Sequence, residues 1–364
     1  MSVAPLRLAL VGCGEVTKAK HLPSLAEISD IAVVALADSE IARARSLASR
    51  YSVSWTGSDI GGLLSGSEAP AVDAIGICTP PGAHRDLALA ALGAGKHVWV
   101  DKPLTLTIED AIDLVTAAGE GHLVAATGFH MRSHRLVCRA REIVRAGALG
   151  TIESIRIAWH SPRGDEHIPE WKTRRDLGGG ALTEIAVHHL DLLRFLLDTE
   201  IDEIFALSVD RRRHDECAVI SARLRNGVLA SGEFSERAPH EIEIVISGSD
   251  GWLRVDCLRF DGLEFRTARQ VPGAPDVRWR QALAGLRDLP QGLSAMRKGG
   301  DYRDSYRRAW KDFADAVRTA RRPAATFADG LCGVEAVTAA VQSSLSGMPV
   351  AVAGRTPSAR RRDR

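Results

Sequence analysis

The sequence predicts an α/β chain with two sheets: first a doubly wound parallel sheet, then an α+β domain carrying a large, mostly antiparallel open sheet. Two observations predict it. Between Leu6 and Thr127 short apolar runs alternate with helical stretches across short connections, which requires parallel strands joined by right-handed crossovers. Beyond Gly150 apolar residues recur at every second position between turn dipeptides, the pattern of antiparallel strands. The length of 364 residues agrees, since about 150 residues per domain gives two to three units.

In order, the first half reads as strand Leu6-Val11 with a helix to Ile28, strand Ala32-Ala37 with a helix through Tyr51, and strand Val72-Cys78 with a helix from Ala83 to Leu92. Strand His97-Val100, helix Ile108-Ala118 and strand Leu123-Thr127 complete the alternation. A helix over Leu136-Ala146 leads into the second half. There Ile152-His160, Glu203-Asp210, Cys217-Leu224, Val228-Phe234, Ile242-Ser247 and Trp252-Asp256 alternate as strands, with turns at Asn226-Gly227 and Asp250-Gly251. One strongly apolar helix spans Ala181-Leu197, and two late helices span Ser305-Thr319 and Gly330-Leu345. The stretch Gln281-Gly300, with Pro290, Gly292 and Gly299-Gly300, reads as an irregular insertion or lid. The expected domains are 1–128 for the first sheet and 129–350 for the second, with the late helices free to pack back on the first. Residues 351–364 are expected to be a disordered basic tail.

Composition narrows the function classes. With 47 Lys+Arg against 46 Asp+Glu the net charge is +1. Five arginines and one aspartate fall in the last ten residues, and without them the body is near −3. That leaves no basic face for a nucleic-acid partner. No apolar run approaches the ~20 residues that span a bilayer, and the start lacks a secretory pattern, so a soluble, cytoplasmic protein without a membrane partner is expected. The six cysteines (13, 78, 138, 217, 257 and 332) show no Cys-x-x-Cys spacing, and Cys13 and Cys78 read as buried thiols.

Gly12-Cys13-Gly14-Glu15-Val16-Thr17 follows a strand and opens a helix, and Asp38 closes the next strand 21 residues after Thr17. Gly12 permits the tight turn, Gly14 lets backbone approach a pyrophosphate, and the free N–H groups at Glu15 and Val16 favour its charge. Asp38 would accept from the adenosine ribose hydroxyls. This is the dinucleotide-binding fingerprint of a Rossmann domain, except that Thr17 stands where Gly or Ala is usual. Asp38 repels a 2′-phosphate and favours NAD, while Ser39 and Arg43 leave NADP open.

Two further stretches carry a family resemblance. Cys78-Thr79-Pro80-Pro81-Gly82-Ala83-His84 with Ala94-Gly95-Lys96-His97-Val98-Trp99-Val100-Asp101-Lys102-Pro103-Leu104, and Gly178-Gly179-Gly180-Ala181-Leu182-Thr183-Glu184-Ile185-Ala186-Val187-His188-His189-Leu190-Asp191, resemble the Gfo/Idh/MocA oxidoreductases, the group of glucose-fructose oxidoreductase and inositol dehydrogenase. The resemblance extends to Gly128-Phe129-His130 and to Ser305-Tyr306-Arg307-Arg308-Ala309-Trp310. It implies an NAD(P)-dependent dehydrogenase or ketoreductase that moves hydride between nicotinamide and a carbinol or ketone of a sugar, cyclitol or sugar nucleotide. Thr79, Pro80, His84, Asp101 and Lys102 would contact the cofactor.

The resemblance makes Lys102, in the position of the family's Glu-Lys-Pro lysine, the general acid/base, although Asp101 replaces the glutamate. Proton transfer at neutral pH calls for a lysine pKa lowered to ~7–8 by desolvation and a nearby cation. Glu184 and His188 match the family's Asp-x-x-x-His pair, with Glu184 in place of aspartate; four residues apart, they would share a helix face for catalysis and substrate contact. Asp191 either anchors the helix or meets substrate. His189, about 100° round the helix, reads as structural. His130 is either a second imidazole near Lys102 or a packing residue. His160, Trp171, Lys172 and Arg174 lie on segments that line the substrate cleft in relatives. The family works without metal, and no metal-ligand spacing is present. Relatives pair subunits through the open sheet, so a homodimer or homotetramer is expected, with the face of Ile242, Ile244 and Ile246 as the candidate surface. Two alternatives remain: an NAD-dependent glycoside-cleaving enzyme using transient oxidation and elimination, and a non-catalytic NAD(P)-binding regulator.

Overall fold

The computed structural model describes residues 4–119, 122–164, 168–271, 273–297, 299–352 and 354. They form two compact units, 4–130 with 306–334, and 131–305 with 335–354. The chain passes between the units three times, so the late helical region is divided, with Tyr306–Val334 belonging to the first unit.

The first unit is built on six parallel strands, β1 (Leu6–Val11), β2 (Ile31–Ala37), β3 (Trp55–Gly57), β4 (Ala74–Ile77), β5 (His97–Val100) and β6 (Ala125–Thr127). Their order is β3-β2-β1-β4-β5-β6, the doubly wound arrangement whose topological switch lies between β1 and β4. Successive side chains of β1 feed two cores: Leu6, Leu8 and Leu10 pack toward Trp99, Trp310 and Phe313, while Ala9 and Val11 join Ile75, Ile77, Phe327 and Leu331 on the other face. Burial on both faces explains why these strands read as continuous apolar runs rather than alternating ones.

The second unit holds eight strands: β7 (Ile152–His160), β8 (Ile201–Val209), β9 (Cys217–Leu224), β10 (Leu229–Ser235), β11 (Glu241–Gly248), β12 (Gly251–Asp256), β13 (Leu263–Thr267) and β14 (Val350–Ala351). Their order is β13-β12-β11-β7-β10-β9-β8-β14. Only β7 and β10 pair in parallel; every other pairing is antiparallel. Helix Ala186–Leu197 packs across β7, β8 and β10, covering one face and leaving the other with alternate exposed residues.

Several sequence expectations are corrected here. The helix expected to run to Ile28 is a π-helical turn, Thr17–His21, followed by a short α-helix, Leu22–Leu25. Pro23 lacks the N–H that a continuous α-helix would need, which accounts for the widened turn just before it. The segment read as irregular, 281–300, falls largely within a helix, Pro275–Arg297, that runs through Pro290. Glycine and proline marked a break that the backbone does not make. The apolar helix expected over Ala181–Leu197 is two, Ala181–Glu184 and Ala186–Leu197, separated at Ile185 (φ −101°). The face of Ile242, Ile244 and Ile246 is not a free surface, because all three are at most 1% exposed within their own unit. The exposed apolar residues lie instead on the other face, at Leu207, Val209, Val219 and Leu229, with Leu207 opposite Val219. The short strands β3, β13 and β14 and helix Ile60–Ser65 carried too little periodicity to be read. Most of the expected basic tail, 353 and 355–364, lies outside the described residues.

Among the described residues no helix is long and apolar enough to cross a membrane, and no group of three His, Cys, Asp or Glu side chains could hold a metal ion. None of the six cysteines forms a disulfide.

Candidate active-site residues

In the first unit the glycine loop sits at the switch point. Gly12 has φ +97°, and a Cβ there would lie 2.6 Å from the Cys78 carbonyl at the end of β4, so only glycine fits. At Gly14 the opposite holds: a Cβ would meet nothing within 4 Å. The open space beside Gly14 would fit a pyrophosphate, with Glu15 and Val16 exposed at the start of the following turn. Thr17, the departure from the fingerprint, is fully buried, and its hydroxyl donates to the Gly12 carbonyl at 2.7 Å. It braces the loop from beneath, the task a close-packed glycine performs elsewhere.

Asp38 ends β2 with its carboxylate oriented. Oδ2 accepts from the Cys13 N–H at 2.7 Å and Oδ1 from the Glu40 N–H at 2.8 Å. A carboxylate has about four acceptor positions, so two stay available for ribose hydroxyls. Ser39 and Arg43 are exposed, and Arg43 is paired with Glu40 at 2.7 Å, so it already carries a matching anion. These residues together fit NAD. Cys13 is buried, and burial followed by the Asp38 charge pushes its thiol up to about 12, so it is an inert neighbour of the loop.

The segment after β5 holds the candidate acid/base. Lys102 follows β5 by two residues, is half-buried and joins Pro103 through a cis peptide bond. Thr79 is half-buried and Pro80 exposed at the end of β4. His84 ties these two strand ends together: one ring nitrogen faces the Thr79 carbonyl at 2.9 Å and the other the Pro103 and Leu104 carbonyls at 3.0 and 3.2 Å. Both nitrogens thus face backbone carbonyls, so His84 ties the Lys102 segment to the end of β4. Burial lowers its pKa against those carbonyls.

Asp101 has its Oδ1 on the Lys102 N–H at 2.9 Å and its Oδ2 3.3 Å from His21 Nε2. Burial would raise this carboxyl; the His21 hydrogen bond and the charges of its neighbours, Lys102 among them, outweigh burial and hold it at about 2. His21 itself is fully buried, with Trp310 Nε1 donating to its Nδ1 at 3.1 Å. The sequence signals neither His21 nor Trp310 as a site residue, because the contact links positions 289 apart. His130 is 1% exposed and stacked on Tyr306 with ring centroids 3.8 Å apart, so packing occupies its ring.

In the second unit the Gly178-Gly179-Gly180 loop leads into the helix carrying Glu184. Positive φ at Gly178 and Gly180 makes glycine necessary at both positions. Glu184 accepts from Lys172 Nζ at 2.9 Å and from Arg163 at 2.6 Å. The extra methylene therefore delivers the carboxylate to two cations. Burial opposes the Arg163 charge, but Glu184 and Glu236 outweigh it and raise its pKa. Arg163 was not anticipated; it stands in a segment with no periodic signal. His188 is 4% exposed and stacked against Trp159 at 5.2 Å. With the helix broken at Ile185, the Glu184–His188 spacing is no longer that of one continuous face.

His189 packs between Trp159 and Phe234 and holds the Ile185 carbonyl at 3.1 Å, a structural role. Asp191 is an anchor, accepting from Arg132 Nε at 2.8 Å. His160 lies between Glu233 and Glu241, each 3.3 Å from one ring nitrogen, at the ends of β10 and β11. Trp171 lies under the Lys172 ammonium at 5.1 Å. Arg174 is exposed and paired with Asp176 and Glu170, outside the cluster around Glu184.

Comparison with known proteins agrees with this geometry. Residues 6–129 match the oxidoreductase family with an NAD-binding Rossmann fold, and residues 137–254 match the GFO/IDH/MocA C-terminal domain. Myo-inositol 2-dehydrogenase of Thermotoga maritima is 25% identical over 334 residues, 89% of this chain and 92% of that protein. The 1,5-anhydro-D-fructose reductase of Ensifer adhaerens is 28% identical over 285 residues, covering 76% and 79% of the two chains. The solved levoglucosan dehydrogenase, in complex with NADH and levoglucosan, superimposes with a TM-score of 0.80 at 23% identity over 96% of this chain and all of its own. Matched in both halves, the chain belongs to the Gfo/Idh/MocA family of NAD-binding oxidoreductases.

Proposed function

We propose that the chain is a dehydrogenase or ketoreductase acting on one carbinol of a sugar, cyclitol or sugar nucleotide, with Lys102 as the general acid/base. The observation that carries the reading is the placement of Lys102 just beyond β5, which pairs with the switch-point strand β4. Ligands of such sheets bind beyond the strands' carboxyl ends. NAD, when bound, supplies the hydride acceptor or donor. The residues of this chain do the rest. Gly12 and Gly14 admit the pyrophosphate, Asp38 takes the ribose, and Lys102 holds or releases the hydroxyl proton at Nζ. Glu184 and His188 are proposed to orient the substrate. The names of the relatives, an inositol dehydrogenase and an anhydrofructose reductase, support a polyol or sugar substrate.

The test is a screen of polyols, sugars and sugar nucleotides for NADH production, repeated with Lys102→Ala. Lys102→Ala should keep NADH binding, read by fluorescence titration, and lose turnover by at least about a hundredfold. Turnover close to that of the parent would remove Lys102 from the chemistry. Aglycone release without net NADH would favour transient oxidation, and NADH binding with no reaction would favour a regulator.

The exposed Leu207–Val219 pair and its neighbour Val209 form an apolar patch on an otherwise polar sheet face, which supports pairing of copies as a homodimer or homotetramer. A monomeric mass by light scattering would contradict this.

A further inference from the structure

We propose that Trp310, His21 and Asp101 form a positioning relay for Lys102, in which the indole fixes the histidine tautomer, the histidine fixes the carboxylate, and the carboxylate holds the lysine proton. The inference rests on the reading of Lys102 as the acid/base. The indole N–H can only donate, so His21 Nδ1, 3.1 Å from it, is an acceptor. The imidazole proton therefore sits on Nε2 and is donated to Asp101 Oδ2 at 3.3 Å. Asp101 Oδ1, in turn, accepts the Lys102 backbone N–H. A Cβ at Gly128 would lie 2.6 Å from that same Oδ1, so glycine at 128 leaves the carboxylate the room it occupies.

Rigidity comes from aromatic packing. Trp310 is fully buried and stacked on Trp99 with centroids 4.4 Å apart, and His21 meets the edges of Trp310 and Tyr306 at 5.8 and 5.4 Å. The titratable groups around the relay are Lys102 and His84 beside Asp101, and Cys78 and Tyr306 beside His21. Burial disfavours a His21 cation, while the Cys78 sulfur and Asp101 would raise its pKa to about 10. A second proton on Nδ1 would meet the Trp310 N–H head on, so geometry keeps the ring neutral. Asp101 then keeps its full negative charge beside Lys102, which favours the ammonium form, opposes the lowering to ~7–8 expected from the sequence and makes Lys102 the proton donor of the resting protein. Glutamate, the residue the family pattern carries at this position, would supply the same charge.

Two measurements test the relay without needing a substrate. Competitive acetylation by acetic anhydride across pH, read by mass spectrometry of the Lys102 peptide, reports the proton affinity of that amine. Asp101→Asn should move its midpoint about one unit toward lower pH, whereas Asp101→Glu should leave it near that of the parent chain. No shift in Asp101→Asn overturns the proposal. Nitrogen-15 shifts of His21 in the unsubstituted protein at pH 7 should show a neutral ring protonated on Nε2; a doubly protonated ring overturns it. With a substrate from the screen, His21→Leu should lower kcat by tenfold to about a hundredfold, and His21→Gln, whose amide can accept from Trp310 and donate to Asp101, should restore most of it. If Lys102→Ala retains turnover while the acetylation shift appears, the catalytic reading fails and the relay stands.

Discussion

At the scale of single residues, Gly12 and Gly14 look alike in sequence and do different things. Gly12 is filled against β4 and held at positive φ; Gly14 faces open space. Gly12→Ala should therefore destabilise the fold by at least about 2 kcal/mol, seen in denaturant unfolding. Gly14→Ala should unfold within about 0.5 kcal/mol of the parent chain and yet weaken NADH binding about tenfold, because its methyl occupies ligand space. Asp101 carries the clearest pH signature. Against the effect of burial, the hydrogen bond from His21 and the adjoining Lys102 charge hold its carboxyl below the ordinary value of 3.8. A depressed carboxylate stabilises above its unfolded pKa, so the contribution is complete above about pH 4 and disappears as pH falls toward 2. With His21 neutral it amounts to about 1 kcal/mol. Acid unfolding of Asp101→Asn should lack this portion of the slope, and an identical acid limb in both proteins would refute the assignment.

At the scale of elements, the second unit relies on a buried ion pair to seat its central helix. Asp191, in helix Ala186–Leu197, and Arg132 are both almost wholly buried and meet through two hydrogen bonds of 2.8 and 2.5 Å. Arg194 approaches the same carboxylate at 3.7 Å. Breaking such a pair from one side leaves a buried charge, so Arg132→Met should cost about 3 kcal/mol, softened by Arg194. Replacing both, as Arg132→Met with Asp191→Leu, should cost less than Arg132→Met alone. A double-mutant cycle that finds no coupling would show that the pair is incidental. Sequence periodicity located this helix but missed its interruption at Ile185, since the residues around the break, polar Thr183, Glu184 and His188 included, are all buried. A buried helix has no polar stripe to betray a change in direction.

At the scale of the whole molecule, the first unit is discontinuous in sequence. Its core includes Trp310, Phe313, Phe327 and Leu331, from segments about 200 residues beyond its last strand. A fragment of residues 1–130 would leave Leu8, Leu10 and Trp99 without those partners. It should lack a cooperative thermal transition and bind NADH poorly, whereas the same segment joined to residues 306–334 by a linker should recover both. Cooperative unfolding of the short fragment, measured by near-ultraviolet circular dichroism, would show that the late helices are dispensable.

The amino-acid sequence by itself determined the two sheets, the dinucleotide loop, the acidic residue at the end of the second strand and the lysine after the fifth. These features are local: a period of two or 3.6, a glycine demanded by a turn, or a short motif, each written within a few consecutive residues. Tertiary structure alone decided the partners. That Thr17 braces Gly12, that His84 clamps two strand ends, that Glu184 is shared by Arg163 and Lys172, and that Trp310 reaches His21 all depend on contacts made after the chain has folded. Hydrogen bonds and burial act through space, and no periodicity along the chain encodes which distant side chain will arrive within 3 Å of another.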